Sequence, residues 1–268
     1  MAGTPVATIA SIDKYRVVGI LGEGGMGRVY EAVEPDTGRR VAIKTLRAEL
    51  THDGEMLARF KSEARALDMV KHEGLVKIYA TGTLPSGEAY IVMEFLSGQA
   101  LRRRLTAGPP PLASALHIAA QVAEVLAVVH EHKIVHRDLK PENIMLLGAP
   151  NASPQVKILD FGIAKVSTQT QSQTQIVTRT GTIFGTPTYM APEQCGGDGE
   201  ICDRTDVYAL GVLLYEMLAG RPPFVGETDQ QLIGKHLFQK PPPLRQVHAD
   251  ASADLELLVH AMLAKKGE

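Results

Sequence analysis

The sequence predicts an α+β chain of two lobes, a small β-rich N-terminal lobe with one key helix and a larger, mainly helical C-terminal lobe. Three observations lead there. The first third carries short β-branched and aromatic runs separated by turn residues. Most of the remainder carries Ala/Val/Leu-rich stretches at helical spacing. Between them Ser97-Gly98 breaks the last strand-like run, which puts the lobe boundary near Leu96 to Gln99. With 268 residues, 44% of them hydrophobic and 22% charged, the chain can bury a sizeable core, and global disorder is excluded. Lys and Arg number 28 against 30 Asp and Glu, a formal net charge of -2 that argues against a nucleic-acid partner. The 2 cysteines, Cys195 and Cys202, form no Cys-x-x-Cys and the histidines do not cluster, so neither a disulfide scaffold nor a zinc site is expected. No run reaches the roughly 18 apolar residues of a membrane span. The best candidate, Val207 to Ala219, is short, contains Glu216 and reads as a buried helix. The first dozen residues lack the order of a signal peptide. The expectation is a cytoplasmic chain with no membrane segment of its own.

Taken in order, Tyr15 to Leu21 and Arg28 to Val33 read as strands. Asp36-Thr37-Gly38 makes a turn, and Val41 to Leu46 follows as a third strand. Leu57 to Val70 has helical spacing, with Leu57, Phe60, Ala64 and Leu67 on one stripe. Leu75 to Tyr79 and Ala89 to Phe95 read as strands on either side of the Pro85-Ser86-Gly87 turn. After Pro109-Pro110-Pro111, Leu112 to His132 forms a long helix, and Gly148 to Gln155 a hairpin loop. Ser167 to Thr182 is a Ser/Thr/Gln tract that, read alone, is a loop.

Several residues carry chemistry. Gly22-Glu23-Gly24-Gly25-Met26-Gly27 matches G-x-G-x-x-G, a weak signal alone. The next residues, Arg28 to Val33, are strand-like rather than helical, so the loop joins two strands as a flap over phosphates, and a dinucleotide fold is disfavoured. Lys44 stands in the apolar strand Val41-Ala42-Ile43-Lys44, and Glu63 lies on the apolar side of its helix, where a carboxylate needs a partner such as Lys44. Then come His136-Arg137-Asp138-Leu139-Lys140-Pro141-Glu142-Asn143 and Asp160-Phe161-Gly162. An Asp, an Asn five residues later and a second Asp after a strand suit phosphoryl transfer: one carboxylate takes a hydroxyl proton, and the amide and other carboxylate hold Mg²⁺.

This ordered series, closed by Ala191-Pro192-Glu193, resembles the eukaryotic-type (Hanks-type) protein serine/threonine kinases, over nearly the whole chain. Lys140, Gly185-Thr186-Pro187 and the wording Tyr189-Met190-Ala191-Pro192-Glu193-Gln194 are most similar to Ser/Thr and bacterial members. The resemblance implies an N-terminal extension at 1–14 and a kinase domain at 15–268, divided into lobes at 15–96 and 97–268. It implies ATP and Mg²⁺ as cofactors and protein Ser/Thr hydroxyls as substrates. Asp138 would be the catalytic base, and Lys140 would neutralise the γ-phosphoryl group. Asn143 and Asp160 would hold the metal, and Lys44 the α- and β-phosphates with Glu63 behind it. Leu21, Val29 and Ala42 would cover adenine above and Met145 below, with Glu94 to Leu96 as hinge and Met93 at the back. The tract before Ala191 becomes the activation segment. Thr178, Thr180 and Thr182 are then its phosphorylation candidates toward Arg137, and Thr186 lines the substrate site. Another copy of the chain would be the partner in trans-autophosphorylation, as a weak homodimer.

Two departures stand out. Tyr208 occupies a position where many members carry Trp, and the chain has no Trp. Family domains continue with a further helix, preceded by an Arg that pairs with the Glu of Ala-Pro-Glu, so the end at Glu268 reads as truncated and Glu193 as lacking its partner. A tail outside this chain could tether it to a membrane. The competing readings are a small-molecule phosphotransferase, which lacks the glycine flap and the Ala-Pro-Glu segment, and a pseudokinase scaffold, which would lose Lys44, Asp138 or Asp160.

Overall fold

A computed structural model of the chain describes residues 11–24, 27–51, 69–148, 153–160, 187–196 and 199–265, together with Gly54, Leu57, Ala58, Phe60 and Ala64. The chain divides into two compact units, Met1–Met69 with Val76–Leu96, and Val70–Leu75 with Ser97–Glu268.

The first unit is an antiparallel sheet of β1 (Ser11–Ile12), β2 (Tyr15–Glu23), β3 (Gly27–Val33), β4 (Arg40–Leu46), β5 (Ile78–Thr83) and β6 (Ala89–Glu94), in the order β1-β2-β3-β4-β6-β5. Period-two alternation sorts its side chains. Tyr30, Ala32, Val41, Ile43, Tyr90 and Val92 point to one face and close a core with Ile12 and Tyr15. The alternate positions Val29, Ala42, Lys44, Ile91 and Met93 therefore share the opposite face, with Val29 opposite Lys44 and Ala42 opposite Met93. Register shifts at Val17/Gly19 and Ile20/Gly22 bend β2 as it runs into the glycine loop. Phe60 and Ala64 are helical and buried, as their spacing suggests.

One strand differs from expectation. The strand expected at Leu75 to Tyr79 starts later: Ile78 and Tyr79 open β5, whereas Leu75 makes an isolated parallel bridge to Ile158. The backbone N–H of Ile158 donates to the Gly74 carbonyl at 2.7 Å, which binds residues 70–75 to the second unit. The apolar pair Leu75-Val76 is buried without pairing as a ladder.

The second unit holds a small sheet of β7 (Gly98–Ala100), β8 (Ile144–Leu147) and β9 (Gln155–Ile158). Its long helices, numbered after the short α1 (Ala48–Thr51) and α2 (Leu101–Thr106), are α3 (Leu112–Glu131) and α4 (Asp203–Ala219). Beyond these lie α5 (Asp229–Phe238), α6 (Leu244–Val247) and α7 (Ala253–Met262). Helix α3 buries Ala115, Ile118, Ala119, Val122, Val125, Leu126 and Val129, one stripe at three- and four-residue spacing, and packs against α4 and β9. Its Gln121 is not idle: it donates to the Pro154 carbonyl and accepts from the Val156 N–H, both at 2.9 Å, pinning β9. Helix α4 is buried on nearly every side and stops at Gly220, which takes φ 74° and returns its N–H to the Glu216 carbonyl.

The expectation that no segment suits a membrane is corrected by α3, which at 20 residues and a mean hydropathy of 1.8 is long and apolar enough to cross one. His117, Gln121 and Glu124 interrupt its apolar run without lowering the average below that of a span. Its buried stripe and its packing on α4 and β9 fit a core helix of this unit.

The three described glycines of the flap differ physically. A Cβ on Gly22 or Gly24 would meet nothing within 4 Å, whereas one on Gly27 would sit 1.7 Å from the Thr45 carbonyl oxygen. Gly27 thus permits β3 to pair with β4. Gly27→Ala is expected to lower stability by about 1–3 kcal/mol, while Gly22→Ala and Gly24→Ala leave it unchanged, as thermal unfolding of the three variants will show.

Candidate active site

The second unit builds a dense polar loop from a local motif. The stretch from His136 to Leu139 runs irregularly and Pro141–Asn143 forms one 3-10 turn, which brings Asn143 back onto Asp138. Lys140 Nζ donates to Asp138 Oδ2 at 2.8 Å. Asn143 Nδ2 donates to the Asp138 carbonyl at 2.9 Å, to Asp138 Oδ2 at 3.3 Å and to the Asp160 carbonyl at 3.4 Å. Asp138, Asn143 and Asp160, singled out by spacing, and Lys140, implied by the family resemblance, are therefore gathered within a few ångströms.

The loop is held by a histidine and a distant aspartate. His136 is fully buried, and its Nε2 can only donate to the Leu159 carbonyl at 3.0 Å, so Nδ1 is left to accept from the Asp138 N–H at 3.2 Å. Asp206, at the start of α4 and fully buried, accepts from the backbone N–H of His136 at 2.7 Å and of Arg137 at 2.8 Å, and contacts His130 Nε2 at 2.7 Å. These bonds hold Arg137 at φ 65°, a left-handed conformation worth about 1–3 kcal/mol of strain for a non-glycine residue. Asp160 shares this feature at φ 31°. Burial lowers the pKa of the Arg137 guanidinium, an effect Asp206 partly opposes.

Around this loop lies a second network. Arg102 of α2 donates to Glu142 at 2.7 Å, to Glu216 of α4 at 2.8 Å and to the hydroxyl of Tyr189, which in turn donates to Glu216. Burial and then Glu216 push the Tyr189 phenol well above its ordinary range, so it stays a donor. Glu193, expected to lack a partner, accepts from the Thr205 hydroxyl. Tyr208, where Trp is usual, accepts from Lys265 Nζ and donates to His236 Nδ1, each at 2.9 Å. Lys265 also lies 4.2 Å from the Phe224 ring centroid. Burial pulls its pKa down to about 8 and that of His236 to about 4. Cys195 is a buried free thiol whose pKa burial pushes up to about 12.

In the first unit Lys44, Val29, Ala42 and Met93 share one sheet face, and Leu21 is 49% exposed at the end of β2. Glu23 spans two arginines, Arg28 and Arg47, each at 3.2 Å, across the base of the flap. Glu94 pairs with Lys77 through backbone and side chain, ahead of Leu96, and Met145 lies in β8 of the second unit. Gly25, Met26, Glu63, Thr178, Thr180, Thr182 and Thr186 lie outside the described residues, and with them the Lys44–Glu63 pairing.

Residues missed by sequence reasoning include Asp206, Gln194, Arg102 and Tyr189. Asp206 carried one signal: a carboxylate at the edge of an apolar helical run, which is retained only with donors around it.

The chemistry of the donor set fits a magnesium ion. Asn143 and Asp160 offer one amide and one carboxylate, brought together where Asn143 Nδ2 donates to the Asp160 carbonyl at 3.4 Å. Such a sparse oxygen set suits Mg²⁺, which keeps waters and substrate phosphates as its other ligands.

Because Asp206 is a fully buried acceptor of charge-assisted hydrogen bonds, Asp206→Asn will turn an amide N–H toward a backbone N–H. A loss of about 3 kcal/mol is expected, together with a fall in the protein's thermal midpoint, measured by circular dichroism.

Comparison with known proteins agrees with this geometry. Residues 15–268 match the family described as Protein kinase domain. The chain is 43% identical over 255 residues to the serine/threonine-protein kinase Pkn1 of Myxococcus xanthus, covering 95% of this chain and 36% of that protein. It is 39% identical over 260 residues to PknB of Mycobacterium leprae, covering 96% and 40%. The chain thus spans well under half the length of these relatives. The crystal structure of the Mycobacterium tuberculosis PknI kinase domain superposes with a TM-score of 0.69 at 25% identity, over 96% of this chain and 90% of that one. The chain belongs to the protein kinase domain family, among relatives that are bacterial serine/threonine-protein kinases.

Proposed function

We propose that the chain is the catalytic domain of a protein serine/threonine kinase, with lobes at 15–96 and 97–268, that transfers the γ-phosphoryl group of ATP to Ser/Thr hydroxyls of proteins. The observation that carries this reading is the Asp138–Lys140–Asn143 cluster, in which a carboxylate, a cation and an amide converge on one point. Asp138 is the base that accepts the hydroxyl proton as the oxygen attacks phosphorus. Lys140, already 2.8 Å from Asp138, fixes the carboxylate and offsets negative charge on the transferred group. Asn143 and Asp160 hold the metal, which when bound neutralises the phosphate oxygens. Lys44 binds the α- and β-phosphates, supported by Glu63. The backbone from Gly22 through Glu23, Gly24, Gly25 and Met26 to Gly27 covers the phosphate chain. Leu21, Val29, Ala42 and Met93 are the adenine contacts from the first unit, with Glu94 and Leu96 offering hinge backbone.

Regulation follows from Arg137 and the threonine tract. A half-buried guanidinium calls for an anion, and phosphate on Thr178, Thr180 or Thr182 would supply one with charge-assisted hydrogen bonds. Thr186 would line the substrate hydroxyl site. One copy phosphorylates another, in the cytoplasm where ATP is plentiful.

The test is incubation with labelled ATP, Mg²⁺ and a generic protein substrate, followed by phosphoamino-acid analysis. Phosphoserine or phosphothreonine is expected; no transfer to protein sinks the reading. Asp138→Asn should bind ATP normally and lose about 10²–10⁴ in turnover.

Self-activation makes a separate prediction. The chain should show a lag that shortens as enzyme concentration rises, and mass spectrometry should place phosphate between Ser167 and Thr186. Replacing Thr178, Thr180 and Thr182 together by Ala should slow substrate phosphorylation by about 10-fold or more. Full activity in that variant would remove the switch and leave the kinase reading standing.

A further inference from the structure

Gln194 comes directly after Ala191-Pro192-Glu193, has no role in the chemistry above, and is 8% exposed. Its side chain uses both ends. The Oε1 accepts from the Ala191 N–H at 3.0 Å, closing the 3-10 turn Pro192–Cys195, and the Nε2 donates to the Arg137 carbonyl at 2.8 Å. That carbonyl belongs to the peptide that joins Arg137 to the catalytic base. The Arg137 N–H is held from the other side by Asp206 at 2.8 Å, and the residue sits at φ 65°. A left-handed residue relaxes by rotating its flanking peptides, which would swing Asp138. Two side chains from separate segments oppose that rotation, Asp206 at the N–H and Gln194 at the C=O.

We infer that Gln194 is a positioning residue for the phosphoryl transfer proposed above, holding the Arg137–Asp138 peptide so that the Asp138 carboxylate keeps its aim. The inference rests on that reading and names a residue through which the segment ending at Cys195 acts on the base. It predicts a defect in turnover with nucleotide binding intact.

Gln194→Glu separates the two bonds. The introduced carboxyl keeps an acceptor for the Ala191 N–H. When ionised it faces the Arg137 carbonyl with a second acceptor, and when protonated its O–H restores the donor. Glu193, His136, Arg137, Asp138, Lys140 and Asp206 titrate or carry charge nearby in both proteins, so the ratio of variant to unaltered kcat cancels their effect. The measurement is kcat and the KM for ATP from pH 8 to about 5.5 for the unaltered chain, Gln194→Glu and Gln194→Met, each normalised to the fraction that binds nucleotide. At pH 8 Gln194→Glu is expected to lose about 10-fold in kcat or more, with KM within about twofold, and its ratio should climb as pH falls. Gln194→Met should lose at least as much without recovery. A kcat within twofold of the unaltered value in either folded variant overturns the inference, as does a Gln194→Glu defect that acid leaves unchanged. Should Gln194→Glu not fold, Gln194→Met alone decides on the same criterion. An unaltered chain that transfers no phosphate overturns the kinase reading itself, a distinguishable result.

Discussion

The carboxylate of Asp206 accepts two backbone hydrogen bonds, from His136 and Arg137, and contacts His130 in a place fully shielded from solvent. A buried carboxylate is tolerated only when its lone pairs are filled, and filling them here determines where residues 136 and 137 lie. The rest of the loop inherits that placement. Arg137 turns left-handed, Asp138 donates its N–H to His136, and Lys140 and Asn143 fold back onto the Asp138 carboxylate. The helix that carries Asp206 is itself buried on nearly all sides and ends in a glycine cap, so the anchor has little freedom to move with the loop.

Further polar side chains of the same unit also find partners. Tyr208 is buried, and a hydroxyl is accepted there only with partners. Lys265 and His236 provide them, and the Phe224 ring lies against the lysine. Glu193 likewise takes a hydroxyl donor from Thr205. Arg102 links Glu142, Glu216 and Tyr189, so two carboxylates share one cation without repelling one another.

Legibility in the sequence tracked the range of the interaction. Asp138 and Asn143 meet within one turn, so spacing identified them, whereas Lys140 came through the family resemblance. The strands around the glycine loop showed through alternation and composition. Asp206 lies 70 residues from His136, and Gln194 lies 57 from Arg137. No local pattern reports such pairs; only a polar residue at the edge of a buried element hints at them. The strand expected from Leu75 was misplaced at its start for the opposite reason, since an apolar β-branched run looks alike whether or not it pairs in a sheet. Helix α3 shows the same limit, because a core helix and a membrane span share an average composition.

The central claim is that one buried carboxylate holds the loop from His136 to Asn143 in shape. Residue-resolved hydrogen exchange on the amides of His136 and Arg137 tests it most directly. Both donate to a fully buried acceptor, so both should exchange only through large-scale unfolding of the second unit, and Asp206→Asn should release them selectively while α3 amides stay protected. Rapid exchange of these two amides in the unaltered chain, or protection unchanged by Asp206→Asn, would contradict the account.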